Sequence, residues 1–457
     1  MFFHRREIDS LTQWLNRSDR KPIIIRGARQ VGKSTLVRLC AEKCQKKLIE
    51  IDFEKNPEYV EIFKSQDPKT ILMMLGSLLN QDIQASSIIL FLDEIQKTPE
   101  ILQTLRYFYE NMPELPVIAA GSLLDFALQD LHFSMPVGRI EYLYLGPLNF
   151  EDFLNATGKP QLLNFIRNYT TGQAIPAPIH KALLTCIKTY FIVGGLPQAV
   201  AHYAQNNNFN DIERIKKSLL ISYQEDFAKY ASIAEQNRLR LIFNKIPRML
   251  GEKFKYSHID PEQKSTILKS ALQQLHLARL IHLVYHTDAN GLPLGAEINE
   301  KNFKTYFLDV GLVVSALDLT VLNFEDDIDF SLVNSGKIAE QFVAQELLQL
   351  RELYEPPVLY YWMREQKSAH AELDFVIPFQ GGIIPIEVKA GGHGTLKSLH
   401  YFLHEKHLNL GVRFCSALPS FNRTTVQVNQ LPLNFKLLSL PFYLVSQVHR
   451  LLAATKD

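Results

Sequence analysis

Residues 22–35 read PIIIRGARQVGKST, and this stretch decides the fold of the N-terminal third of the chain. A short apolar run at 22–26 is followed by a loop that contains Gly27 and Gly32, and a helical pattern then starts at Thr35. The loop fills every fixed position of the pattern G-x-x-x-x-G-K-[ST]. A strand before the loop and a helix after it are the local context in which this pattern is meaningful.

The residue types of this loop suit the phosphates of a nucleotide. The two glycines let the backbone curl so that successive N–H groups face phosphate oxygens, and the N-terminus of the following helix adds partial positive charge. Lys33 is then expected to reach the β- and γ-phosphates, and Ser34 to coordinate Mg²⁺. The nucleotide-binding residues predicted from the pattern are Gly27, Ala28, Arg29, Gln30, Val31, Gly32, Lys33, Ser34 and Thr35.

Two later strands end in polar residues that suit hydrolysis of a bound nucleotide. Residues 88–94 read IILFLDE, an apolar strand that delivers two acids to the carboxyl edge of a parallel sheet. Asp93 is expected to hold Mg²⁺ through water and Glu94 to polarise the attacking water, and a surface cap is the alternative role for these acids. A further strand at 117–121 is followed by Ser122, whose hydroxyl is placed to orient water beside the γ-phosphate.

Short apolar runs alternate with helical patterns from residue 21 to about residue 147. The runs that predict strands lie at 22–26, 48–53, 87–92, 116–120 and 139–145. Strands that alternate with helices form a mostly parallel sheet covered by helices. The predicted fold class is α/β and multidomain, because 457 residues suggest about three domains.

These motifs resemble the AAA-type P-loop ATPases of bacteria and archaea in which a P-loop domain precedes a poorly characterised C-terminal region. The resemblance rests on residues 27–34, 92–96, 120–122 and 137–150. It implies ATP and Mg²⁺ as cofactors, a sensor-like role for Ser122, and a role as arginine finger or sensor for Arg139. A surface salt bridge is the alternative for Arg139, since spacing alone does not say whose γ-phosphate it approaches.

The middle of the chain predicts two smaller domains after the P-loop domain at 1–148. Residues 149–235 are rich in helical patterns and are expected to form a helical lid. Residues 236–322 give the order helix, turn, helix and hairpin of a winged helix, with its recognition helix at 261–277. Between residues 236 and 312 there are 11 Lys and Arg against 7 Asp and Glu, so this domain suits protein docking as well as DNA binding.

The last predicted domain, residues 323–457, begins with an acidic linker and contains two strands that place acids opposite each other. Residues 372–378 and 384–389 flank Gln380-Gly381, and a hairpin centred there pairs residues whose numbers sum to 761. Asp374 then faces Glu387, and Glu372 faces Lys389, all on one face of the sheet. Two opposed acids repel unless a cation or a proton lies between them, so this register predicts a metal site.

This segment resembles the core of the PD-(D/E)XK nucleases. The resemblance implies Asp374 and Glu387 as ligands of a second Mg²⁺ or of Mn²⁺, and Lys389 as the group that orients water or steadies the phosphate. It also implies Glu340 as an assisting acid. The alternatives are a catalytically silent binding platform and a solvated ion pair between Glu372 and Lys389.

Composition excludes several classes of protein. The apolar fraction of 46% and the charged fraction of 21% are those of a globular chain, and a formal net charge of +1 gives no global attraction to nucleic acid or membrane. Four cysteines without a C-x-x-C pair predict free thiols in a reducing cytoplasm. No apolar stretch is long enough to predict a membrane span.

Two functional hypotheses follow. The first is Mg²⁺-dependent ATP hydrolysis coupled to binding or processing of a nucleic acid through the nuclease-like domain, with a homo-oligomer as one possible assembly. The second is an ATP-controlled switch that docks a protein partner and has a catalytically silent C-terminal domain.

Overall fold

The computed structural model describes residues 5–122, 124, 135–229, 231–319, 335–366, 369–391 and 395–455. The chain divides into two compact units. Unit 1 comprises residues 1–147, 277–280 and 351–356, and unit 2 comprises 148–276, 281–350 and 357–457. The predicted division into four domains stays a prediction. Its last boundary and the acidic linker at 325–329 lie outside the described residues.

Unit 1 contains a parallel sheet. Its strands are β1 (Ile23–Arg26), β2 (Lys47–Asp52), β3 (Ile88–Asp93), β4 (Val117–Gly121) and β5 (Glu141–Tyr144). Their order across the sheet is β2-β3-β4-β1-β5, and every neighbouring pair is parallel. All five predicted strands are present, with ends within two residues of the predicted bounds.

The core of unit 1 is built on β3. Every residue of this strand is buried, as its unbroken apolar sequence predicts for a central parallel strand. Leu90 and Leu92 pack in one apolar cluster with Ile49 and Ile51 of β2 and with Ala119 of β4. The described helices of unit 1 are Arg6–Leu15, Lys33–Lys43, Val60–Phe63, Pro68–Leu79 and Thr104–Asn111.

Unit 2 contains a mixed sheet. Its strands are β6 (Ile281–Thr287), β7 (Ile298–Phe307), β8 (Tyr360–Gln366), β9 (Ala369–Phe379), β10 (Gly382–Val388), β11 (Leu410–Cys415), β12 (Ser420–Val428) and β13 (Leu431–Pro441). Their order is β12-β13-β11-β10-β9-β8-β6-β7. The pairs β10–β11, β11–β13 and β6–β8 are parallel, and the other neighbours are antiparallel.

Helices precede and flank this sheet. The segment predicted as a lid contains Phe150–Ala156, Pro160–Asn168, Ala177–Val193, Pro197–Asn206 and Phe209–Asp226. The later helices are Ile233–Lys245, Tyr256–Ile259, Ser265–Leu277, Val310–Ala316, Ser335–Leu348, Lys397–Glu405 and Val448–Ala453.

The hairpin of β6 and β7 is not a free wing. The predicted order of helix, turn, helix and hairpin is present, with Ser265–Leu277 as the helix before the hairpin. However, β6 also pairs in parallel with β8, where Tyr285 lies opposite Tyr360. The hairpin therefore extends the C-terminal sheet, and the winged-helix identity of residues 236–322 stays a prediction.

The hairpin of β9 and β10 confirms the predicted register. Ile384 lies opposite Ile377 and Ile386 opposite Phe375, so the paired residue numbers sum to 761. Gln380 and Gly381 form the turn with φ angles of 45° and 79°, the left-handed conformation that tight two-residue hairpins favour. This register places Asp374 and Glu387 one step beyond the last ladder pair.

Two further expectations concern the whole chain. Cys40, Cys44, Cys186 and Cys415 are free thiols, as predicted. Among the described residues, no helix combines the length and the apolar composition that a membrane crossing requires.

Candidate functional site

The carboxyl ends of β1, β3 and β4 meet at one edge of the sheet in unit 1. Parallel pairing places Arg26 opposite Gly121, and Asp93 ends the neighbouring β3. The loop after Arg26, the acids Asp93 and Glu94, and Ser122 therefore leave the sheet at the same edge. Open α/β sheets bind their ligands at this edge.

The glycine-rich loop has the curled backbone that its sequence predicts. Gly32 adopts a φ of 97° and caps the N-terminus of the helix Lys33–Lys43. At Gly27, a side chain would clash with the carbonyl oxygen of Leu145. Both positions therefore require glycine, one for its backbone angle and the other for a close approach of the chain.

The ammonium of Lys33 lies over this loop. The residue is only 7% exposed, and its Nζ donates to the carbonyl oxygens of Gly27 at 3.0 Å and Ala28 at 2.8 Å. Burial lowers the pKa of Lys33 to about 8, although Glu94 and Asp93 act in the opposite direction. The Lys33 ammonium thus lies where the sequence pattern predicts the phosphates of a nucleotide, and backbone carbonyl oxygens accept its hydrogen bonds there.

Ser34 and Asp93 are brought together as predicted. The Ser34 hydroxyl donates to Asp93 Oδ2 at 2.5 Å, and the Glu94 N–H donates to Asp93 Oδ1 at 3.0 Å. Burial raises the pKa of Asp93, while the Ser34 hydrogen bond opposes that shift. A hydroxyl and a carboxylate in contact supply the oxygen ligands that Mg²⁺ prefers, so these two residues fit the ion.

Glu94 has a partner that the sequence did not predict. Its backbone is left-handed, with a φ of 54°, and its carboxylate accepts a hydrogen bond from Gln96 Nε2. Gln96 is 6% exposed. A polar residue two positions after the acid pair is the sequence feature that points to this contact.

Arg5 is a second residue that sequence reasoning missed. Its buried guanidinium donates to the carbonyl oxygens of Val31 at 3.0 Å and Gly146 at 2.9 Å. It therefore ties the glycine-rich loop to the segment that follows β5. A single arginine near the start of the chain forms no pattern from which this role is visible.

Ser122 and Arg139 occupy different surroundings. Ser122 is 7% exposed and directly follows β4. Arg139 precedes β5, and its Nε lies 2.8 Å from Glu110 Oε1 in a solvent-exposed pair. The surface salt bridge that was the alternative for Arg139 is thus present, and its role as a finger or sensor stays a prediction.

In unit 2 two of the predicted C-terminal acids, Glu340 and Asp374, come together around Lys304 of β7. Lys304 is 0% exposed, and its Nζ lies 3.1 Å from Glu340 Oε1, 2.6 Å from Glu372 Oε1 and 3.9 Å from Asp374 Oδ1. The Tyr306 hydroxyl donates to the same oxygen of Glu340. Sequence reasoning missed both Lys304 and Tyr306.

The alternative to the metal site, a solvated ion pair between Glu372 and Lys389, is wrong. Glu372 pairs with Lys304 as described above, and Lys389 Nζ lies 2.6 Å from Glu387 Oε1. The reason is that Lys304 comes from a strand distant in sequence and competes for Glu372. Within the described ranges, no group of three or more His, Cys, Asp or Glu side chains is arranged to hold a metal ion.

The buried charges of this cluster shift one another. Burial alone would lower the pKa of Lys304, but the carboxylates of Glu340, Asp374 and Glu372 outweigh it and raise that pKa. Burial raises the pKa of Asp374 well above its usual range, with Glu340 and Glu387 adding to the shift. Burial also raises the pKa of Glu387. The ammonium is therefore stabilised in its charged form, while Asp374 and Glu387 favour protonation.

Comparison with known families decides the class of unit 1. Residues 19–154 match a family model described as an AAA domain. The chain carries an AAA-type P-loop ATPase domain. After this AAA domain, residues 185–323 and 335–434 match two models described as domains of unknown function, DUF8612 and DUF4143. Among curated protein sequences, none matches the chain significantly.

Solved structures give a weaker likeness. The chain resembles ORC2 of Aeropyrum pernix in its ADPNP and ADP complexes, at 13% identity and a TM-score of 0.33 over 69% of this chain and 92% of that one. It resembles the RuvB Holliday junction branch migration motor of Thermotoga maritima at 13% identity and a TM-score of 0.29, over 63% and 90% of the two chains. Such scores are too low to inform on the function of the AAA domain.

The affinity of the AAA domain for ATP is expected to fall as the pH rises above about 8. Phosphate favours the charged form of Lys33. When the pH is high enough for Lys33 to be neutral in the free protein, ATP binding must therefore be accompanied by uptake of a proton. Between about pH 7 and 8 the Kd should stay nearly constant, and above that it should rise by up to about tenfold per pH unit. Titration of a fluorescent ATP analogue measures this, with Lys33→Arg as the control that keeps its charge. A constant Kd up to about pH 9.5 would contradict the burial of a titrating Lys33.

Asp374→Asn is expected to leave the free energy of unfolding at pH 7 unchanged or to raise it by up to about 1 kcal/mol. The buried carboxylate is disfavoured beside Glu340 and Glu387, and asparagine keeps an acceptor for the Val388 N–H, which lies 2.7 Å from Asp374 Oδ2. Because the folded state holds the Asp374 proton to higher pH than the unfolded state, wild type should lose stability relative to the variant as pH rises above the ordinary value of 3.8. Urea unfolding at several pH values measures both effects. A loss of well over about 1 kcal/mol at pH 7 would show that the charged carboxylate stabilises the fold.

Proposed function

We propose that the AAA domain hydrolyses MgATP at the edge formed by the glycine-rich loop and the ends of β3 and β4. The observation that carries the proposal is the hydrogen bond between Ser34 and Asp93, which joins the two predicted Mg²⁺ ligands across the loop and β3. Residues 27–35 bind the phosphates through backbone N–H groups, and Lys33 neutralises the β- and γ-phosphates after leaving the carbonyls of Gly27 and Ala28.

Each remaining group of the site has one task in this proposal. Ser34 and Asp93 are the residues that would hold Mg²⁺, Asp93 through water, and the bound ion would supply positive charge beside the phosphates. Glu94 accepts a hydrogen bond from the attacking water and polarises it, while Gln96 fixes the position of the Glu94 carboxylate. Ser122 orients the same water from the end of β4.

We infer that Arg139 acts on the nucleotide of a neighbouring copy of the chain. Its guanidinium is exposed and paired with Glu110, so it is available at the surface of unit 1. Mixing an excess of Arg139→Ala with Lys33→Ala should then restore part of the ATPase activity, because each protein supplies what the other lacks. Phosphate release from the mixture measures this. A chain that stays monomeric at all concentrations, with and without ATP, would exclude the mechanism.

The downstream output of ATP hydrolysis has two candidates. We infer that the C-terminal domain is catalytically silent, because Lys304 already neutralises the predicted metal site. With a silent C-terminal domain, the output that hydrolysis controls is the docking of a protein partner. The second candidate is coupling to nucleic acid, which the exposed Lys264 and Lys269 at the helix Ser265–Leu277 favour.

The ATPase rate with and without nucleic acid separates these two outputs. The docking proposal predicts the same rate in buffer, with duplex DNA, with single-stranded DNA and with RNA. A severalfold stimulation that disappears in a Lys264→Glu, Lys269→Glu variant would support nucleic-acid coupling instead. Lys217→Glu is the matched control, because Lys217 is also an exposed lysine on a helix of unit 2.

A further inference from the structure

The opposed acids of β9 and β10 require a cation or protons nearby. Asp374 and Glu387 follow the last ladder pair of the hairpin, and Glu340 of the helix Ser335–Leu348 contributes a third carboxylate. Carboxylates this close repel one another when all are ionised. The resemblance to metal-dependent nucleases implies a divalent ion at this point.

We propose that Lys304 is the resident cation of this cluster and that the cluster takes no divalent metal ion while Lys304 is present. Its Nζ lies 2.6–3.9 Å from oxygens of Glu372, Glu340 and Asp374. A Mg²⁺ ion needs oxygens at about 2.0–2.1 Å in near-octahedral order, so it would have to occupy the volume that the buried ammonium fills. The residues present therefore do not fit the metal that the resemblance implies.

One carboxylate oxygen of each of Glu340, Asp374 and Glu387 already has an internal partner. Glu340 Oε1 accepts from both Lys304 and Tyr306, and Asp374 Oδ2 accepts from the Val388 N–H. Glu387 Oε1 is paired with Lys389. Glu387 Oε2 is buried without a hydrogen-bond partner, and Asp374 Oδ1 lies 3.9 Å from Lys304 Nζ. A divalent ion bound to Asp374 Oδ1 would therefore lie beside the ammonium and be repelled by it.

The same contacts give Lys304 a structural role. Lys304 lies on β7, Glu340 lies on the helix Ser335–Leu348, and Glu372 lies on β9, so one ammonium joins three elements that are distant in sequence. Removing the ammonium would leave the buried carboxylates around it without a compensating charge. Lys304 therefore links the β6–β7 hairpin to β9 and to the helix Ser335–Leu348 by charge, in addition to the pairing of β6 with β8.

This inference deepens the proposal of a silent C-terminal domain and is independent of ATP hydrolysis. Its failure would leave the AAA domain assignment untouched, because the ATPase site belongs to unit 1. ATP hydrolysis is measured separately, on the chain without substitutions in the AAA domain. A failure of this inference can therefore be told apart from a failure of the proposed ATPase function.

Mn²⁺ binding by the full chain tests the inference, in a Lys33→Ala, Asp93→Ala background that removes the metal site of the AAA domain. Free Mn²⁺ is measured by electron paramagnetic resonance. The background protein should bind no Mn²⁺, and Lys304→Met, which removes the charge but keeps most of the volume, should bind one ion. Adding Asp374→Asn to Lys304→Met should abolish that binding. Lys337→Met is the matched control, because Lys337 pairs with Glu252 from the same helix as Glu340.

Two results would overturn the inference. One is a Mn²⁺ ion bound by the background protein and lost with Asp374→Asn, which means that the metal coexists with Lys304. The other is a folded Lys304→Met protein that binds no Mn²⁺, which means that Lys304 is not what excludes the metal. If Lys304→Met does not fold, Lys304→Gln replaces it. The background protein still decides the first outcome, because it keeps Lys304.

Discussion

Replacing Lys33 by alanine is expected to abolish ATP hydrolysis while leaving the fold of the AAA domain intact. The ammonium contacts two carbonyl oxygens of the loop, and alanine favours the helix that begins at Lys33. Losing one preorganised charge at the phosphates typically costs about 10²–10³ in rate, and losing the charge that also holds the nucleotide costs more. Phosphate release and circular dichroism measure the two halves of this prediction.

Lys43→Ala is the matched control for Lys33→Ala. Lys43 lies at the other end of the same helix, and its exposed ammonium pairs with Asp9 at 2.6 Å. This control should hydrolyse ATP at the wild-type rate, since an exposed pair contributes at most about 1 kcal/mol to stability. A normal rate in Lys33→Ala would mean that the glycine-rich loop does not bind the reacting phosphates.

Glu94→Gln is expected to separate binding from turnover. The amide keeps the size of the side chain but cannot polarise water, so kcat should fall by about 10²–10⁴ while the Kd for ATP stays within a few fold. Phosphate release measures the loss of turnover, and equilibrium binding measures the retained affinity for ATP. The control is Glu100→Gln, because Glu100 is an exposed acid shortly after the same strand. A loss of binding together with turnover would instead indicate that Glu94 maintains the loop structure.

The features predicted from sequence are those that local physics determines. The glycine-rich loop follows from glycines that no other residue can replace, at Gly27 for space and at Gly32 for its backbone angle. The strand β3 follows from an apolar run that only a central parallel strand requires. The register of β9 and β10 follows from the turn at Gln380 and Gly381, because a two-residue turn leaves one pairing.

The features that the sequence did not reveal depend on contacts between distant segments. Lys304 is one lysine in an alternating strand, and nothing near it in sequence shows that Glu340 and Glu372 will surround it. Arg5 likewise reaches Val31 only after the chain has folded. The strand β12 was not predicted because most of its side chains are polar and at least partly exposed. Its pairing with β13, rather than its own pattern, makes it a strand.

The most direct test of the proposed ATPase function is the rate of phosphate release by the purified, unmodified chain with ATP, in Mg²⁺ and in excess EDTA. The pairing of Ser34 with Asp93 beside Lys33 predicts steady turnover in Mg²⁺ and none in EDTA. Turnover that is the same with and without Mg²⁺, or ATP that binds in Mg²⁺ and is never cleaved, would contradict the assignment of this edge of the sheet as a hydrolytic site.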